Sequence, residues 1–209
     1  MIVLCALVPS LINILVSSGK NESWLYSLGA DEVIICSVNT PHCSKKSSKA
    51  QDGQALLAFT SQNYYRLSKL RIAFVHGGER EWHSDIDIKN KIKMGWNVDH
   101  FIHLGRIENR RCISIHNTGW CDNILRPQSV TCDLYICTYQ GLQFVANGIG
   151  FLKLNRSQYD KMEQTCNGLD DPPREFGMGF KGCSFAMEYL TQYFADGPLN
   201  LPIKHRVEL

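Results

Sequence analysis

The sequence predicts one α/β domain of three layers over residues 31–196, with a mixed, mostly parallel sheet between helices. Short β-branched apolar runs at residues 32–38 and 70–75 read as buried strands. The segment between them opens on Asp52 and places Ala55, Leu56 and Phe59 near helical spacing. A chain of 209 residues, 44% hydrophobic and 20% charged, is long enough and apolar enough for one core.

Taken in order, residues 1–18 carry no charge. A membrane-spanning helix needs about 20 apolar residues, and this run is shorter and broken by Pro9 and Asn13. It suits a signal peptide cut ahead of Gly19, with Val16 and Ser18 at the small-residue positions. The alternative is a buried first strand. With a leader, residues 19–30 become an N-terminal extension, residues 197–209 a C-terminal tail, and no membrane span is left. Of nine cysteines, only Cys5 lies in this stretch, so the remaining eight form the even set that a disulfide framework requires. Short spacings make Cys36–Cys43 and Cys112–Cys121 the expected local bridges. Asn21-Glu22-Ser23 and Asn155-Arg156-Ser157 are glycosylation sequons. The terminal Arg206-Val207-Glu208-Leu209 echoes a retention signal, with Val207 in place of its acidic residue. Together these place the expected glycoprotein in the ER or Golgi lumen, or outside the cell.

Further apolar runs follow at residues 101–104 and 112–116, another strand is expected at 133–138, and a packed element starts at 142–146. Ser157 opens a helix with Asp160 as half of a capping box. Ser184 opens the last helix, striped by Met187, Leu190, Tyr193 and Phe194. Between them, residues 167–182 carry Pro172, Pro173 and four glycines and read as a loop. A net charge of +2 without a dense basic stripe argues against a nucleic-acid partner.

The densest polar cluster follows the strand at 70–75 and runs from His76 to Asp87. Ligands of open α/β sheets collect at the carboxyl ends of strands, and Gly77 and Gly78 let the backbone approach one. His76 and His83 are imidazole candidates for a divalent metal, and Glu79 is a candidate general base or ligand. Asp85 and Asp87 form an Asp-x-Asp pair of the kind that holds Mn or Mg on a sugar diphosphate, or else a charge pattern at a helix start. Trp82 and Trp120 are candidates for stacking on a sugar ring. His100 and His103 share a face only on a helix, and their neighbours favour a strand.

Several segments resemble an uncharacterised, largely fungal family of eukaryotic domains of unknown function. Residues 72–83, Ile-Ala-Phe-Val-His-Gly-Gly-Glu-Arg-Glu-Trp-His, are similar to its Phe-x-His-Gly-His-x-x-x-Trp-His signature, departing at Gly78, where relatives carry His. Asn63-Tyr64-Tyr65-Arg66-Leu67 resembles its Asn-Tyr-x-x-Leu segment, and Gln143-Phe144-Val145 its Gln-Phe-x-Val segment. Glu188 falls where its last helix carries a Glu. The resemblance implies little about activity; the expected substrate-binding residues are His76, Gly77, Gly78, Trp82 and Gln143, with Glu79 and Glu188 as catalytic candidates.

The domain also looks like a small glycosyltransferase of the A-type fold. The expectation is therefore metal-assisted transfer from a nucleotide-sugar to a glycan acceptor. The alternatives are a non-catalytic, disulfide-stapled module binding carbohydrate or protein, and a metal-dependent hydrolase in which His76 and His83 converge.

Overall fold

The computed structural model describes residues 11–19, 21–44, 52–79, 84–106, 110–114, 121–126, 129, 135–139, 141–168 and 182–195. Its centre is a mixed five-stranded sheet in the order β2-β1-β3-β7-β4. The strands are β1 (Ile12–Ser17), β2 (Glu32–Ile35), β3 (Leu70–Val75), β4 (Ile102–His103) and β7 (Phe144–Asn147). β1 is parallel to both β2 and β3. β7 is antiparallel to β3 and to β4, so β4 runs with the first three. A separate antiparallel pair joins β5 (Arg110–Ser114) to β6 (Tyr135–Tyr139).

Alternation along the strands sorts two cores. Ile14, Val16, Ile72, Phe74, Phe144 and Ala146 face one side. There they meet α1 (Asp52–Gln62), α3 (Arg156–Gly168) and α4 (Gly182–Ala195). Phe74 stacks on Phe144 at 5.8 Å between ring centres, which ties β3 to β7. Leu15, Ala73, Val75 and Val145 face the other side. That side is covered by the short 3-10 helix Ser23–Ser27 and by α2 (Ile88–Gly95), through Trp24, Leu25, Ile88, Ile92 and the following Trp96. Helices on both faces give the three layers expected for α/β.

α1 is buried from Gly53 to Ser61 because it lies under both α3 and α4. The Ser61 hydroxyl donates to the Asp160 carboxylate and joins α1 to α3. Asp160 therefore does not complete a capping box. The box is formed by Asn155, whose side-chain oxygen accepts the Gln158 N–H at 3.0 Å, while the Gln158 side chain accepts the Asn155 N–H at 2.7 Å.

The N-terminal reading is corrected by the sheet. Ile12–Ser17 lies between two parallel partners, with Ile14, Leu15, Val16 and Ser17 fully buried. A leader ending at Ser18 would take the middle of the sheet with it, so these residues realise the alternative of a buried first strand. The domain boundary moves from residue 31 to no later than Ile12. The C-terminal tail at 197–209 lies outside the described residues.

The cysteines whose side chains are described are oxidised. Cys36 and Cys43 are joined as expected. Cys112, Cys121 and Cys166 are also disulfide-bonded, with partners outside the described side chains.

A glycine sets how closely α4 approaches. A Cβ at Gly150 would lie 1.7 Å from the carbonyl oxygen of Ala195, the last residue of α4. Gly150→Ala is expected to cost about 3 kcal/mol, because one contact is backbone and cannot rotate away. The check is the urea midpoint. An unchanged midpoint would mean that α4 does not seat there.

Candidate functional site

The chain leaves β1 to form β2 on one side and later returns to form β3 on the other, so the order reverses between β1 and β3. The carboxyl ends of those strands flank the crevice where such sheets bind ligands. β1 ends there in buried Ser17 and Ser18. The Ser18 N–H donates to the Val75 carbonyl at 2.9 Å, locking the two strand ends together.

His76 is the next residue after β3. Because Ile72 and Phe74 face the α1 side, alternation turns His76 to that side as well. It meets Asp52, the first residue of α1, with Nε2 3.0 Å from the carboxylate Oδ2. The imidazole is 12% exposed and Asp52 is 33% exposed, so the pair sits at the crevice wall rather than in the core. Asp52 was read from sequence only as a helix cap. Nothing in the local pattern pairs it with His76, because the whole of α1 separates them in sequence.

Gly77 has a φ of 96°, in the left-handed region that favours glycine. This turn directs its carbonyl to the Trp24 indole N–H, 2.8 Å away. The glycine thus fixes the exit of the chain from β3. Gln143, buried just ahead of β7, accepts the His76 backbone N–H at 3.4 Å and donates to the Ser84 hydroxyl at 2.7 Å. Ser84 bridges to Gly105 beyond β4, and its carbonyl accepts the Arg106 Nε–H at 2.9 Å. His76, Gly77 and Gln143 are therefore brought together as expected. Asp52, Trp24, Ser84 and Arg106 complete the arrangement and were not foreseen.

The expected metal donors are engaged elsewhere. Asp85 and Asp87 lie at the start of α2. Asp85 Oδ2 accepts from Lys91 at 2.7 Å and Oδ1 accepts the Asp87 N–H at 2.8 Å. Asp87 Oδ1 accepts from Asn90 at 2.7 Å. Burial pushes the Asp85 carboxyl up, but Lys91, the Asp87 N–H and Arg106 outweigh it and hold the group below its ordinary value. Both aspartates thus follow the helix-start pattern. Glu79 pairs with Lys89 of α2 at 2.9 Å. No group of three His, Cys, Asp or Glu side chains suited to a metal occurs among the described residues. Among the described residues, Glu79, Asp85 and Asp87 are thus not gathered as a set for the expected Mn or Mg.

Trp82, His83 and Trp120 lie outside the described residues. Glu188 sits half-buried on α4, on the sheet face that carries α1. His103 belongs to β4, whereas His100 is exposed ahead of it, so the two do not share a helical face. Burial pushes His103 down to about 4, partly offset by Gln192, with its Nε2 2.9 Å from the Gln192 side-chain oxygen. A half-buried imidazole lowered this far favours its neutral form at pH 7.

No helix among the described residues is long and apolar enough to cross a membrane. The fold and the crevice define a mixed α/β domain with a His–Asp pair at its switch point. Set against known family models, curated proteins and solved structures, the chain matches none.

Proposed function

We propose that this protein is a glycosyltransferase-like enzyme that binds a nucleotide-sugar in the crevice between β1 and β3 and transfers the sugar to a hydroxyl acceptor. The observation that carries the reading is the His76–Asp52 pair, 3.0 Å apart at that crevice. A partly buried imidazole oriented by a carboxylate is a suitable general base. The sheet supports the reading too: three parallel strands, then an antiparallel strand and a returning parallel one, are an arrangement similar to that of A-type glycosyltransferases.

In the proposed step an unprotonated ring nitrogen of His76 is the base, and the Asp52 carboxylate, 3.0 Å from Nε2, stabilises the charge that the ring gains. That nitrogen takes the acceptor's hydroxyl proton as the acceptor oxygen bonds to the anomeric carbon. The bond from that carbon to the diphosphate breaks, and its electron pair leaves with the diphosphate. Displacement in one step inverts the anomeric centre. The disulfides support work in the secretory lumen or outside the cell.

The test is calorimetric titration of the disulfide-intact protein with uridine, guanosine and cytidine nucleotide-sugars, each with and without Mn²⁺. One of them is expected to bind in the micromolar to millimolar range typical of enzyme substrates, roughly 1 μM–1 mM. If none binds up to the top of that range under either condition, the reading fails.

A further inference from the structure

We propose that Asn155 is N-glycosylated and that the first sugar of the glycan packs on the neighbouring Tyr65–Arg156 surface. Asn155, Arg156 and Ser157 are all exposed at the start of α3. The Asn155 side-chain oxygen is held twice, by the Ser157 hydroxyl at 2.7 Å and by the Gln158 N–H at 3.0 Å. Its nitrogen Nδ2, the atom a glycan uses, takes no part in these capping bonds and donates to nothing among the described residues. The fold therefore accepts a sugar on Nδ2 without losing the cap of α3.

The surroundings suit a sugar. The Tyr64 hydroxyl donates to the Leu154 carbonyl at 3.1 Å, and the Arg156 guanidinium lies 5.6 Å from the Tyr65 ring centre. These two contacts bracket Asn155 against the aromatic pair. Tyr65 is 82% exposed, and among the described residues its ring meets Tyr64 and Arg156. A large exposed aromatic ring beside a sequon gives the apolar face of a sugar ring something to cover. The oxidised cysteines point independently to a compartment in which such modification takes place.

The reaction joins Asn155 Nδ2 to the anomeric carbon of an oligosaccharide carried on a polyprenyl pyrophosphate. The carbon–oxygen bond to the pyrophosphate breaks, Nδ2 loses one proton, and the lipid pyrophosphate leaves. The host's oligosaccharyltransferase supplies the catalysis, so the inference stands apart from the chain's own proposed activity.

The full chain would be directed into the secretory pathway of a eukaryotic host behind an added, cleavable leader. Treatment with peptide N-glycosidase leaves Asp at each occupied position, and peptide mass spectrometry reads position 155. Asp is expected there in most molecules, and Asn155→Gln and Ser157→Ala are each expected to abolish the glycan at that position. Position 155 recovered as Asn, in protein whose Cys36–Cys43 bond is formed, would overturn the assignment. Removing the glycan is expected to lower the Tm of the wild type by roughly 2 °C and to leave the Tm of Tyr65→Ala unchanged. An equal drop in both proteins would overturn the packing on Tyr65.

Discussion

Replacing His76 by Gln is expected to lower kcat/KM for sugar transfer by roughly 10²- to 10⁴-fold, the usual contribution of a positioned general base. Glutamine keeps much of the side chain's volume and polarity but cannot take a proton at neutral pH. The backbone contacts of position 76, its N–H to Gln143 and the Gly77 carbonyl to Trp24, remain available to the variant. Affinity for the nucleotide-sugar is therefore expected to stay within about threefold, so the loss falls on kcat. Asp52→Asn is expected to lower kcat in the same direction, since an uncharged amide no longer stabilises the imidazolium that forms when His76 takes the proton. Steady-state kinetics on the disulfide-intact protein, with a thermal melt to show that each variant is folded, decide the matter. A folded His76→Gln protein with kcat unchanged would remove His76 from the chemistry while leaving nucleotide-sugar binding to be judged by titration.

A chain beginning at Gly19 is expected not to fold. It would lack β1, which is hydrogen-bonded on one side to β2 and on the other to β3. It would also lose the fully buried side chains of Ile14, Leu15 and Val16. Burying three such side chains is worth roughly 5–9 kcal/mol, comparable with the whole stability of a domain, about 5–15 kcal/mol. The truncation would also expose the flanks of β2 and β3 as unpaired edges. Circular dichroism during heating is the measurement. The full chain is expected to melt cooperatively and the truncated chain to show no transition. A truncated chain that melts at the temperature of the full chain would restore the leader.

This second case shows where reading the chain ran out. A strand in the middle of a parallel sheet is buried on both faces, so it reads as an unbroken apolar run. The apolar region of a signal peptide reads the same way. Residues 11–18 satisfied both patterns, and only pairing with β2 and β3, which is non-local, separated them. By contrast β3 stood out at Leu70–Val75, because its run is closed sharply by His76-Gly77-Gly78. α1 was equally legible from Asp52 onward, and Cys36–Cys43 from its short spacing.

The site divides along the same line. The position of His76 after a strand and the need for glycine at Gly77 were written in the local sequence, because strand alternation and backbone conformation depend on near neighbours. Gln143 was reached through the family resemblance, and the structure ties it to the His76 backbone. Asp85 and Asp87 offered two local readings, a metal pair and a helix start, and the lysine and asparagine of α2 decided for the second. The partner of His76 could not be read at all. Asp52 comes to it only because α1 packs across the sheet and returns its first residue to the carboxyl end of β3. The sequence by itself thus determined the α/β class, the strand that ends at His76 and a local disulfide, all of which rest on short-range periodicity and spacing. Only the tertiary structure decided the central place of β1, the engagement of the acidic residues and the His76–Asp52 pair, because each depends on contacts between segments far apart in the chain.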